Sequence, residues 1–140
     1  ADYRIKSEAM AKASDGAPIP GVWNAFSERL VADALAQGKT VVMDFTAEWC
    51  LNCKTLKAAV LDRDPVRTAL KESNVVMVEV DLTSTRAPGW EKLKALGQRG
   101  IPLLTIQGAG LKEPWLSGAY TSEQVMEALA RAKGDARASR

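Results

Sequence analysis

The chain contains no histidine, and it has only two cysteines in 140 residues. The missing imidazole excludes a histidine-assisted nucleophile and any mixed Cys/His metal site. Two cysteines cannot build a disulfide framework, and both fall in one motif, Cys50-Leu51-Asn52-Cys53. The scarcity of thiols is compatible with an oxidising compartment. No apolar run approaches the ~18 residues of a membrane-spanning helix, and the first residues lack the charged-then-apolar layout of a secretory signal. Charge of neither sign dominates: 19 Lys and Arg against 17 Asp and Glu leave +2, intermixed along the chain. Neither nucleic acid nor an acidic membrane surface is indicated as a partner. Repeats and low-complexity segments are missing as well.

What is present is a globular composition, 46% hydrophobic and 26% charged, in a length that suits one domain with a conventional core. Residues 1–20 are polar and end in Gly16-Ala-Pro-Ile-Pro20, which predicts an extended lead-in. Residues 134–140 predict a disordered polar tail, leaving 21–133 as the domain.

Within the domain, Trp23, Phe26, Leu30, Val31 and Ala34 fall at helical spacing, predicting a helix from Val22 to Gln37 stopped by Gly38. Val41–Thr46 is an apolar, β-branched run with one carboxylate in it, so it predicts a central strand buried on both sides. A helix follows over Lys54–Leu61. Asp64-Pro65 predicts an N-cap and first helical residue for a short helix to about Glu72. Val75–Asp81 is a second strand, Thr83–Gly89 a loop, and Trp90–Leu96 a short helix. Leu103–Ile106 and Trp115–Ser117 predict strands joined through the Gly108-Ala-Gly110 turn. Thr121 with Gln124 forms a capping-box pattern ahead of a helix over Val125–Ala132. Strands alternating with helices imply an α/β fold: a partly parallel, mixed sheet covered by helices on both faces, with an N-terminal helical extension and an antiparallel edge.

The chemistry concentrates where the first strand meets a helix. Two intervening residues set Cys50 and Cys53 one turn apart at a helix start, where free amides and positive potential stabilise a thiolate. Cys50 is then the exposed nucleophile, and Cys53 is the more buried thiol that resolves the mixed disulfide. A zinc knuckle would need a second cysteine pair or histidines. A purely structural bridge closing so short a loop would constrain little of the unfolded chain. Asp44, a carboxylate inside an apolar strand, is costly unless paired or at work. Lying beneath the helix start with a pKa raised by burial, it is the candidate proton acceptor for Cys53; the competing reading places it, solvated, at an edge. Pro102, in Gly100-Ile101-Pro102, reads locally as an ordinary strand-leading proline.

Taken together, these segments resemble a known superfamily. Residues 41–54, Val-Val-Met-Asp-Phe-Thr-Ala-Glu-Trp-Cys-Leu-Asn-Cys-Lys, resemble the thioredoxin active-site segment. Leu96-Gly-Gln-Arg-Gly-Ile-Pro-Leu-Leu104 resembles its cis-proline segment, and Gly118-Ala119 the glycine turn beside it. The spelling Asp-Phe-Thr-Ala-x-Trp-Cys-x-x-Cys-Lys, with Trp23, Gln37-Gly38-Lys39 and Asp81-Leu-Thr83 around it, is most similar to the C-terminal periplasmic domain of DsbD-type thiol:disulfide interchange proteins and their copper-tolerance relatives.

The resemblance implies a thioredoxin fold and a cis peptide at Pro102. It implies a periplasmic, monomeric domain of an inner-membrane protein, taking electrons from a membrane-embedded dithiol and passing them to a periplasmic acceptor domain. No cofactor and no metal is implied beyond the Cys50–Cys53 pair. Trp49, Leu51, Asn52, Gly100 and Ile101 would form the partner-binding rim, while Glu48, Lys54 and Lys57 would tune its electrostatics. Three positions depart from the patterns. Leu51-Asn52 replaces the Gly-Pro usual in thioredoxin, which implies a different redox poise. Lys57 stands where DsbD-type domains often carry a glutamate, so its charge has the opposite sign and should favour the thiolate and an ionised Asp44; the competing reading points Lys57 to solvent. A free-standing periplasmic reductase and a copper-binding dithiol module are the competing readings.

Overall fold

The computed structural model describes residues 17–134. The expected lead-in up to residue 16 and the expected tail from residue 135 lie outside the described residues.

Among the described residues, five strands form one sheet: β1 Trp23–Ala25, β2 Thr40–Thr46, β3 Val75–Asp81, β4 Leu103–Gln107 and β5 Trp115–Ser117. Their order is β1-β3-β2-β4-β5. The first three strands are parallel, and β4 and β5 add antiparallel to β2 and to each other. The helices are α1 Glu28–Ala36, α2 Leu51–Leu56, α3 Val66–Leu70, α4 Gly89–Ala95 and α5 Ser122–Ala132. A π turn, Lys57–Leu61, continues α2.

Alternation along β2 divides the core. Val41, Met43 and Phe45 pack with Leu30 of α1 and Leu93 of α4 on one face. Val42 points to the other, where Leu61, Leu70 and Leu129 bring in the π turn, α3 and α5. β2 carries partners on both edges and residues buried on both faces, which is why nearly all of it is apolar.

The expected helix over Val22–Gln37 is wrong in its first turn, and the expected N-terminal helical extension is in this region a strand. Trp23–Ala25 pairs with Met77–Glu79 at the sheet edge. Asn24 is buried there, donating from Nδ2 to the carbonyls of Ile19, Val22 and Met77 and accepting from the Ile19 amide. Ser27 then caps α1, its hydroxyl accepting from Leu30 N at 3.0 Å. Trp23 and Phe26 matched a helical period by coincidence, because a strand and a helix abut within it. Gly38 does end α1, at φ +78°, a conformation that glycine adopts without strain.

Two further boundaries differ. The helix expected from Lys54 begins at Leu51, with Cys50 as its N-cap. At Asp64-Pro65 the peptide is cis and α3 starts at Val66; the Asp64 carboxylate still caps, accepting from Thr68 N at 3.2 Å. The capping box at α5 forms as its sequence predicts.

Candidate active site

β2 ends at Thr46, and Ala47-Glu48-Trp49 turns the chain into α2. Cys50 takes the extended N-cap conformation, φ −94° and ψ 94°. Its Sγ accepts from Cys53 N at 3.2 Å, so one of the orphan amides of the helix start points at this sulfur. Cys50 and Cys53 are joined in a disulfide, with their Cα atoms 5.3 Å apart. An amide at the sulfur and the positive end of α2 both favour a Cys50 thiolate once the bond is reduced. Cys50 is more enclosed than the sequence implied: it keeps 7% of its surface, against 2% for Cys53. Cys53 Sγ lies 3.9 Å from the Phe45 carbonyl, beneath the helix.

A rim surrounds the disulfide. Trp49 and Leu51 are 60% and 75% exposed, large apolar side chains on open surface. Asn52 and Gly100 are also exposed. Ile101 packs on the small cluster of Ala47, Cys50 and Cys53. The Ile101–Pro102 peptide is cis, as the resemblance implied and local sequence did not. Gly118 backs it: a Cβ there would stand 3.1 Å from the Pro102 carbonyl oxygen, a tight contact that glycine avoids.

The turn before the cysteines is clipped to the end of β3. Glu48 N donates to Thr83 Oγ1 at 2.9 Å, and Trp49 Nε1 donates to the Thr83 carbonyl at 3.2 Å. Thr83 N in turn donates to Asp81 Oδ1 at 3.0 Å. In the sequence, Asp81 closes an expected strand, Thr83 opens an expected loop, and both belong to the family spelling. No local signal marks a threonine 34 residues from the tryptophan it holds.

Asp44 is 2% exposed, not solvated at an edge. It shares the inner face of β2 with Val42 and lies next to Glu79 in the parallel register. Its carboxyl is pushed up to about 7, first by burial and then by the Glu79 charge; Lys57 opposes the rise and Asp62 adds to it. Its Oδ2 has no hydrogen-bond partner. Glu79 was missed, although its signal equals that of Asp44: a carboxylate at an alternating position of a β-branched run. Tyr120, buried nearby, has its phenol pushed up by burial and by the Asp44 charge.

The three charged residues expected to tune the site divide. Lys57 is turned in, 3.2 Å from Asp62 and 6.0 Å above the Trp23 ring. Glu48 and Lys54 pair with each other at 3.7 Å in the open, where an ion pair is worth at most about 1 kcal/mol. What the arrangement can do is thiol–disulfide exchange: a sulfur at a helix N-terminus, a second beneath it, and an open apolar rim.

Comparison with known proteins agrees with this geometry. Residues 22–109 match the Thioredoxin-like family model. The thiol:disulfide interchange protein DsbD of Vibrio cholerae is 35% identical over 79 residues, 56% of this chain and 13% of that protein. DsbD of Ralstonia nicotianae is 31% identical over 113 residues, 79% of this chain and 18% of that one. The chain therefore spans less than a fifth of the length of these two relatives. Among solved structures, a Thermus thermophilus thioredoxin superposes with a TM-score of 0.60 at 19% identity, covering 84% of this chain and 93% of its own. The reduced C-terminal domain of Neisseria meningitidis DsbD gives 0.54 at 22%, covering 74% and 96%. The family model spans the strand, the dithiol and the cis-proline segment alike, and the chain belongs to the Thioredoxin-like family, where it is similar to DsbD.

Proposed function

We propose that this domain is a thiol:disulfide oxidoreductase of the DsbD type, relaying electrons from a membrane-embedded dithiol to a periplasmic acceptor domain. The observation that carries the reading is the placement of the Cys50–Cys53 disulfide: at the N-terminus of α2, packed against Ile101 of the cis Ile101–Pro102 peptide, with Trp49 and Leu51 exposed on either side of Cys50 in the chain.

In the reduced domain, the Cys50 thiolate attacks a partner disulfide. A mixed disulfide forms, and one partner sulfur leaves as thiolate. Asp44 takes the proton of Cys53, whose thiolate then attacks Cys50 and releases the second partner sulfur. The partner is reduced, and the Cys50–Cys53 bond re-forms. The rim gives the partner chain an apolar landing, with the backbone at Ile101 beside the disulfide. Similarity to DsbD supports a periplasmic setting; among the described residues no helix is long and apolar enough to cross a membrane.

The test is reconstitution with an N-terminal DsbD domain. The reduced protein should transfer its electrons to that domain and reduce insulin disulfides. Cys53→Ala should accumulate the mixed disulfide, and Cys50→Ser should be inert. A copper-binding module would instead retain metal after purification under reducing conditions and exchange no disulfides.

A further inference from the structure

β2 and β3 run parallel in a register that sets Asp44 beside Glu79. Both belong to the alternating set on the face covered by α2, α3 and α5: Val42 precedes Asp44 by one alternation, and Met77 precedes Glu79 in the same way. Neighbouring strands lie about 4.8 Å apart, so the two acidic side chains leave the sheet from adjacent positions on one face, Asp44 buried and Glu79 half-buried. Asp44 is buried, and its Oδ2 is unpartnered. Among the described residues, the other charged or titratable groups around it are Lys57 and Asp62 from the π turn and its end, and Tyr120 from the segment before α5. Cys53 lies on α2, against the carbonyl of Phe45, the residue after Asp44.

We propose that Asp44 and Glu79 act as one carboxylate pair, in which Glu79 sets how tightly Asp44 holds the proton it takes from Cys53. Glu79 is thus a positioning residue that acts through Asp44. The inference rests on the oxidoreductase reading.

Burial first, and the Glu79 charge second, disfavour an ionised Asp44, so the pair retains a proton where isolated carboxylates have lost theirs. During resolution the Cys53 S–H proton passes to the ionised Asp44 carboxylate. The Cys53 thiolate attacks Cys50 Sγ, the Cys50–Cys53 bond forms, and the bond from Cys50 to the partner breaks. The electron pair leaves with the partner thiolate: the partner is reduced and the domain oxidised. A carboxylate whose affinity for the proton lies near 7 matches a thiol far better than an ordinary one. Lys57 opposes Glu79 from the helical side, so the two bracket Asp44 with opposite charges.

The test has two arms. In the oxidised protein, side-chain carboxyl NMR follows Asp44 and Glu79 against pH, in the wild type and in Glu79→Gln and Glu79→Asp. In the second arm, Cys50 is loaded with an aromatic thiol, and its release by Cys53 is timed across pH. The expected result is coupled titration of the two carboxyls in the wild type. In Glu79→Gln, the Asp44 midpoint should fall by about half a pH unit or more, and release should slow roughly twofold above neutral pH. Glu79→Asp should recover part of both. Independent titrations in the wild type overturn the pairing, and this needs no variant to fold. An Asp44 midpoint unchanged in folded Glu79→Gln overturns the role of Glu79 alone. Failure of the wild type to release the thiol overturns the oxidoreductase reading, and the role in resolution with it.

Discussion

Cys53 Sγ rests 3.9 Å from the carbonyl oxygen of Phe45, the residue that follows Asp44 on β2. The contact sets the Cys53 sulfur against the strand that carries Asp44, the proposed proton acceptor. Asp44 is then expected to cost stability in return for chemistry. Its carboxyl is raised from 3.8 to about 7. The folded state therefore binds the proton more tightly than the unfolded chain. Stability is retained in full below the ordinary carboxylate range and falls as pH rises through about 7, by a total on the order of 4 kcal/mol. Asp44→Asn should remove this dependence. It should be more stable than wild type at pH 8 by a few kcal/mol, with the difference shrinking towards pH 4, and it should resolve mixed disulfides more slowly. Urea unfolding at the two pH values checks the first part; timed release from Cys50 checks the second.

Lys57 stands one helical turn beyond Cys53, and its charge lowers Asp44 against the combined pull of burial and Glu79. Lys57→Glu should reverse that contribution. The Cys50 thiolate should form at a pH higher by about half a unit, and Asp44 should rise further. Thiolate absorbance followed against pH reads the first directly; an unchanged curve contradicts it.

Thr83→Val keeps the shape of the side chain but removes the acceptor for Glu48 N and the donor to Asp81 Oδ1. The two lost bonds should cost about 1–2 kcal/mol and loosen the turn before Cys50, while the Trp49 indole keeps its bond to the Thr83 carbonyl. Faster hydrogen exchange of the Glu48 amide is the expected signature, with the β2 amides unchanged.

Gly118→Ala would press a methyl group against the Pro102 carbonyl at 3.1 Å. Stability should drop by about 1 kcal/mol as the segment shifts. Transfer to a protein partner should suffer more than exchange with a small thiol, because only the protein docks along Ile101. Comparing the two rates measures it.

Much of this was legible in the sequence. β3 and β5 lie where β-branching and turn residues placed them, and the capping box at Thr121 gave α5. The dithiol, Asp44 and cis Pro102 each had a local or family signal. What escaped was of a different kind. Trp23–Ala25 is a strand only because it lies against Met77–Glu79, a pairing more than 50 residues away in sequence that no local period records. Thr83 holds the turn before Cys50 through contacts 34 and 35 residues long in sequence. In the sequence, Lys57 is the charge that stands out near Asp44, one helical turn beyond Cys53. The parallel register of β2 and β3 supplies an acid from the other side, and register is a property of the assembled sheet. Periodicity gives a side chain its face but not its neighbour on the next strand.

The proposed relay requires the Cys50–Cys53 couple to donate electrons. Its reduction potential, measured by equilibration against glutathione, tests this most directly. A value near the roughly −270 mV of thioredoxin is the prediction; one near the −120 mV or so of strong oxidants would contradict it.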